Sequence, residues 1–203
     1  VSAFLSDPTL CRVLTTPRQP LHIRKLMDEG KILLVNLAKG KLGEDSAALL
    51  GGLLVTTMGL AAFSRADIPE QDRRPHWLYV DEFQSFTTLS LANMLSELRK
   101  YKVGMTLAHQ YLHQLAPDIR HAVLGNAATL IAFRLGAADA AAIAKEFAPV
   151  FNGTDVLTLA NYHIYLRLLI DGEPSKPFSA TTLNCDEADG WAESFQPPGY
   201  APR

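Results

Sequence analysis

Pro75–Phe86 reads PHWLYVDEFQSF, and this stretch decides the fold. Trp77, Leu78, Tyr79 and Val80 make a short, wholly apolar run that ends abruptly in two carboxylates, Asp81 and Glu82. Such a run is expected to be a strand buried on both faces, as in parallel sheets covered by helices. Ligands of those sheets bind beyond the carboxyl ends of the strands, so two acids there stand where chemistry is done. A hydrophobic strand followed by Asp-Glu is the pattern of nucleotide triphosphatases, in which Asp orients a hydrated Mg²⁺ and Glu polarises the attacking water. The plainer reading is a buried strand followed by a helix whose first turn carries acids, favoured there by the helix dipole. On this stretch alone the two readings stand level.

The totals bound the remaining possibilities. A chain of 203 residues, 48% hydrophobic, suits one globular domain with a sizeable core. A net charge of −2 offers no nucleic-acid-binding surface by composition, so any such contact needs a local patch or another part of the molecule. Cys11 and Cys185 match no metal or redox spacing, which fits a reducing cytoplasm. No signal peptide is evident. The longest apolar run, Ala47–Phe63, is interrupted by glycines and threonines and is expected to be too short to span a bilayer. The chain starts without methionine and in mid-pattern, so it is expected to be a piece of a longer protein.

Outward from the acidic stretch, strands and helices alternate. Residues 1–30 read as a helical, irregular lead-in broken by Pro8, Pro17 and Pro20, with a short helix Leu21–Glu29 closed by Gly30. Lys31–Leu37 reads as a second buried strand, Lys39–Gly43 as a turn, and Glu44 to about Arg65 as a long helix whose small residues allow close packing. Ala66–Arg74 is a polar loop. Ser90–Tyr101 has helical periodicity at Leu91, Met94, Leu95 and Leu98, and Val103–His109 is a third strand. Leu112–Leu124 reads as helical in two pieces around Pro117. Ala128–Arg134 is a fourth strand, Ala137–Phe147 an alanine-rich helix, and Asn161–Ile170 a fifth strand turned by Asp171-Gly172. From Pro177 the chain reads as loop, with a polar tail from Asn184. The expectation is an α/β fold, a mostly parallel sheet flanked by helices, with its body over residues 31–180 and a tail over 181–203.

Three strand ends then carry polar groups: Asn36, the pair Asp81 and Glu82, and His109 with Gln110. In a parallel sheet these ends share one edge and can converge on one crevice. A glutamine beside Asp-Glu can hydrogen-bond a γ-phosphate and the attacking water; the plainer reading of Gln110 is a capping amide.

The segments KILLVNLAKGKLGEDSAALLG, HWLYVDEFQSF, LSELRKYKVGMTLAHQYLHQL, LGNAATLIAFRLGAADA and YHIYLRLLIDGEPSKPFS, covering most of residues 30–179, resemble the ATPase domain of the FtsK/HerA superfamily. The closest likeness is to the conjugative coupling-protein branch of type IV secretion. The resemblance implies a RecA-like fold, ATP and Mg²⁺ as cofactors, and assembly into a ring, expected to be a hexamer, that threads DNA. It implies further that Asp81 is the Walker B aspartate holding Mg²⁺ through water, Glu82 the catalytic glutamate, and Gln110 the sensor. Arg99 falls where relatives place an arginine finger acting on the neighbouring subunit, and Arg134 is a second candidate arginine for the nucleotide. A guanidinium suits the task because it neutralises charge spread over the transferring phosphoryl oxygens. The plainer reading of Arg99-Lys100-Lys102 is a solvated basic helix end. Partners implied are DNA, a relaxase or secretion-channel protein, and a membrane anchor outside this segment, at the cytoplasmic face.

The chain departs from that pattern at one point: it contains no G-x-x-x-x-G-K-[ST] phosphate loop. Lys39-Gly-Lys-Leu-Gly43 has the residue types but not the order, and Leu124–Ala128 lacks the lysine. Without that loop, amides and a lysine that cradle the phosphates are missing, so this segment alone is expected to hydrolyse ATP negligibly. His109 and His113 stand at zinc-ligand spacing, yet Gln110 occupies the place of the glutamate base and no third ligand is indicated. Two rival readings stay open: a catalytically inactive ATPase-derived binding module, and a HerA-like DNA repair helicase.

Overall fold

The computed structural model describes residues 8–15, 21–87 and 89–183. The expected features at 1–7 and 16–20, Cys185 and the tail from Asn184 lie outside them. The chain divides into two units, Val1–Asn126 and Ala127–Arg203.

In the first unit, α1 (Pro8–Thr15) is followed by α2 (Ile23–Glu29), which ends at Gly30 with φ 66° and ψ 36°. Lys31 N–H reaches back to the Leu26 carbonyl at 2.9 Å, the hydrogen bond that a left-handed glycine permits. After the single turn α3 (Lys39–Leu42), α4 (Glu44–Phe63) runs for 20 residues and tightens into a 3₁₀ turn over Ser64–Asp67. Ala47, Gly51, Val55, Met58, Gly59 and Ala62 form its buried stripe, three and four residues apart on one face. A side chain at Gly51 would run into the Phe86 ring, and one at Gly59 into the Met94 thioether. Close approach is therefore why glycine is tolerated in this helix, as its small residues predicted.

By length and composition Glu44–Asp67 is long and apolar enough to cross a membrane, longer than the run expected from sequence. Its buried stripe marks it as a packing helix of this unit. Ile23 and Met27 of α2 and Met58 of α4 form a core cluster that Leu33, Leu54 and Leu78 join.

β1 (His76–Val80) and β2 (Val103–Leu107) pair in parallel, with His76 opposite Val103 and Val80 opposite Leu107. The crossover carries α5 (Leu89–Glu97) and a 3₁₀ turn, Leu98–Tyr101; α6 (Pro117–Asn126) packs on α5. Arg65, fully buried, ties these parts together. Its guanidinium donates to the carbonyls of Tyr101 (2.9 Å) and Arg74 (2.6 Å) and lies 3.0 Å from the Asp28 carboxylate on α2. Nothing in the polar segment around it signalled that burial.

The second unit contains β3 (Leu130–Ala132), α7 (Ala137–Phe147) and α8 (Gly153–Leu157). These precede β4 (His163–Arg167), the hairpin β5 (Leu169–Ile170) and β6 (Glu173–Pro174), and β7 (Phe178–Thr181). A capping box starts α8: Asn152 Oδ1 accepts from the Thr154 and Asp155 amides while Asp155 accepts from Asn152 N–H. Phe151 stacks on Tyr165 at 3.8 Å, with Phe147 edge-on to both, and Phe147 is fully buried.

The mixed α/β class holds, with four corrections to the expected detail. Lys31–Leu37 forms no strand: Leu33 is turned into the core, Ile32 and Leu34 are 89% and 90% exposed, and the stretch joins no sheet among the described residues. A run this apolar becomes a strand only when a second backbone takes up its N–H and C=O groups. Among the described residues parallel pairing is confined to β1 and β2; the fourth and fifth expected strands run antiparallel, in the order β3-β4-β7. Phe178–Thr181, expected as loop, is a strand on β4. Finally, β1 is not buried on both faces: Trp77 and Tyr79 are 65% and 72% exposed, while Leu78 packs inward.

Candidate active site at the carboxyl ends of the parallel pair

Parallel pairing places the carboxyl ends of β1 and β2 side by side, and backbone bonds extend that alignment past the strands. Ala108 N–H donates to Val80 O at 2.9 Å, and Phe83 N–H to Ala108 O at 3.1 Å. Between these ties the chain makes a sharp turn at Asp81-Glu82. Glu82 has φ 48° and ψ 43°, a left-handed conformation that costs a non-glycine residue about 1–2 kcal/mol. Asp81 Oδ1 accepts from the Glu82 N–H at 3.0 Å, and Phe83, fully buried and edge-on to His109 at 5.0 Å, anchors the next turn. The turn is held from both sides, so the strained conformation persists.

That geometry aims the Glu82 carboxylate at the end of the neighbouring strand. Gln110 Nε2 donates to Glu82 Oε1 at 2.6 Å, and Gln84 Nε2 donates to Glu82 Oε2. The two residues named from sequence as base and sensor are thus in direct contact, joined by an amide from the turn itself, Gln84, which the sequence had not singled out. Its signal was spacing: two residues on, in a tight turn, a long amide reaches back to the carboxylate. Asp81 is exposed beside them, with one carboxylate oxygen turned to the Glu82 amide. A hydrated Mg²⁺ suits this donor set, since that ion takes one or two carboxylates and keeps its remaining coordination for water and phosphate. Among the described residues no group of three or more His, Cys, Asp or Glu assembles for direct metal capture. A cleft of about 930 Å³ runs between β1, α4 and the Lys31–Lys39 stretch and reaches Asp81 and Glu82.

The other candidates lie elsewhere. Asn36 Oδ1 accepts from Ala38 N–H at 3.0 Å, the bond of a turn residue leading into α3. Arg99 sits in the 3₁₀ turn before β2, exposed and with no side-chain hydrogen bond among the described residues. The adjoining Lys102 carbonyl accepts from His76 N–H at 2.9 Å, so this turn marks the amino ends of the pair, a strand's length (roughly 15 Å) from Glu82. Lys100 and Lys102 are engaged, the first by Glu97 at 2.7 Å and the second by the Gln71 carbonyl. Arg134 belongs to the second unit, exposed just past β3. His113 packs against Tyr111 at 5.7 Å.

Comparison with known families now supplies the deciding observation. The family model for the type IV secretion-system coupling protein DNA-binding domain matches residues 22–158. The chain belongs to this family. Sequence comparison with curated proteins finds no match. Among solved structures, the plasmid coupling protein TrwB in complex with ADP and Mg²⁺ aligns with a TM-score of 0.69 at 18% identity, over 87% of this chain and 46% of that one. The same protein with the non-hydrolysable GTP analogue GDPNP aligns equally well. An unbound form of the bacterial conjugative coupling protein aligns at 0.65 and 19% identity, over 80% of this chain and 43% of that one. This coupling-protein chain therefore has the RecA-like fold expected from its sequence, and it spans under half the length of the solved structures it matches.

Proposed function

We propose that this chain forms part of an ATP-driven motor that translocates DNA in conjugative, type IV secretion. One observation carries the reading: a glutamine and a glutamate, from the ends of two parallel strands, share a 2.6 Å hydrogen bond beside an exposed aspartate. Glu82 is the general base for the attacking water, and Asp81 orients Mg²⁺ through a water ligand. Gln110 exchanges its bond to Glu82 for one to the γ-phosphate and so couples base to nucleotide. ATP and Mg²⁺ supply the phosphoryl group and the charge that stabilises its transfer. Arg99, a strand's length from Glu82, is suited to a neighbouring subunit's nucleotide, which requires a ring; we take it as a hexamer. Arg134 is the second candidate arginine. The phosphate-cradling loop comes from another part of the motor. DNA as the translocated partner is supported by the DNA-binding domain family that the chain belongs to; a relaxase or channel protein as a further partner, and a location on the cytoplasmic side of a membrane, complete the proposal.

The test is ATP turnover by the complete motor with Glu82→Gln. Loss of turnover by about 100-fold or more, with Mg²⁺–ATP binding retained, is the expected result. Unchanged turnover, or none in the unaltered motor, would leave the chain as the inactive binding module.

A further inference from the structure

The Glu82 carboxylate is held by two amides of unequal standing. An ionised carboxylate accepts hydrogen bonds and donates none, so both Gln84 and Gln110 must present their NH₂ groups to it. Gln110 is exposed beyond the end of β2 and can leave. Gln84 is half-buried in the 3₁₀ turn Phe83–Phe86, one residue from the fully buried Phe83, and Thr87 Oγ1 donates to its carbonyl at 3.2 Å. Its own side-chain oxygen is buried and has no hydrogen-bond partner among the described residues. Among the described residues nothing but the carboxylate fixes the orientation of that amide, and flipping it would set oxygen against oxygen.

We propose that Gln84 is the positioning residue for Glu82, retaining one carboxylate oxygen while Gln110 releases the other. Gln84 lies in the same rigid turn as Glu82 and keeps the carboxylate plane aimed when the contact from β2 is broken. A base held by one exchangeable amide alone would swing about its own torsions as soon as that amide turned away. Misplacement of this kind by about 1 Å is enough to lower a rate on the order of 100-fold. This inference rests on the reading of Glu82 as the base.

The contact itself is tested in this chain by following the side-chain NH₂ resonances of both glutamines. In Glu82→Ala both pairs are expected to shift; a shift of Gln110 without Gln84 would overturn the proposal. The role is tested in the complete motor with Gln84→Met, which keeps the length and removes the donor, and with Gln84→Ala as a second variant should Met disturb the turn. The expected result is a kcat about 10–100-fold lower at unchanged KM, with no further loss when Gln84→Met is added to Glu82→Gln. Turnover that depends on Glu82 and is indifferent to Gln84 sinks the proposal alone. Turnover indifferent to Glu82 sinks the assignment of the base, and this proposal with it.

Discussion

Gly51 and Phe86 meet at the point where α4 passes under the turn that carries Glu82, and that contact links packing to the site. A Cβ at residue 51 has nowhere to go unless the Phe86 ring moves, and Phe86 closes the same 3₁₀ turn that holds Gln84. Gly51→Val is accordingly expected to destabilise by about 1–3 kcal/mol through overpacking, read as a lower urea midpoint at unchanged slope. Because the displaced ring belongs to the turn, the same variant is expected to perturb the amide resonances of Phe83 and Gln84. The second consequence is the informative one, since a cavity or clash elsewhere in α4 would leave those resonances in place.

Elements are joined in this unit by a buried cation, and charge burial decides how much each ion pair contributes. Arg65 is fully buried between α2, β1 and the turn before β2, and Asp28 is the carboxylate opposite it. Asp28 also takes Arg24 at 2.6 Å. Asp28→Asn leaves the guanidinium inside without its counter-charge, with an expected loss on the order of 3 kcal/mol in chemical denaturation. Glu97→Gln breaks a surface pair with Lys100, screened by solvent, and is expected to leave the denaturation midpoint unchanged.

The same Arg65, together with burial, also acts on His76 at the start of β1. Desolvation first, and the guanidinium second, hold this imidazole below the ordinary histidine range. The folded state therefore binds the proton less readily than the unfolded chain does. Stability from this residue is complete above the unfolded value near 6.5 and falls as pH drops below it, levelling off once the folded group is also protonated. Thermal unfolding scanned from pH 7.5 to 5 should show that decline, and His76→Asn should flatten it.

At the scale of the whole molecule, the parts readable from sequence were those whose cause is local. Gly30 ends α2 because a left-handed residue must follow the helix, and α4 carries its small residues where it touches its neighbours. The convergence of Asp81, Glu82 and Gln110 was readable because parallel pairing brings the carboxyl ends of neighbouring strands to one edge. What escaped depends on partners remote in sequence. Burial of Arg65 needs carbonyls from residues 74 and 101 and a carboxylate from residue 28, which no window around it contains. β7 is a strand because β4 offers it an edge, and its own residues are unremarkable in a loop. Gln84 escaped for a different reason: its spacing from Glu82 becomes a contact only through the positive φ of Glu82, a conformation that composition does not announce.

The apolar stretch Lys31–Leu37 bears on how this polypeptide behaves in a test tube. Ile32, Leu34 and Val35 are outside and its peptide groups lack a ladder among the described residues, so its backbone groups are open to pairing. Such an edge recruits whatever strand it meets, including its twin on another molecule. Colloidal behaviour should follow: light scattering that climbs steeply with protein concentration, and a clear reduction in Leu34→Lys, where a charge is placed on the face that would stack. Scattering unaffected by that lysine would mean that the stretch is shielded in solution. If it falls as expected, a segment that reads as a buried strand in sequence is the one that limits how concentrated this protein can be kept.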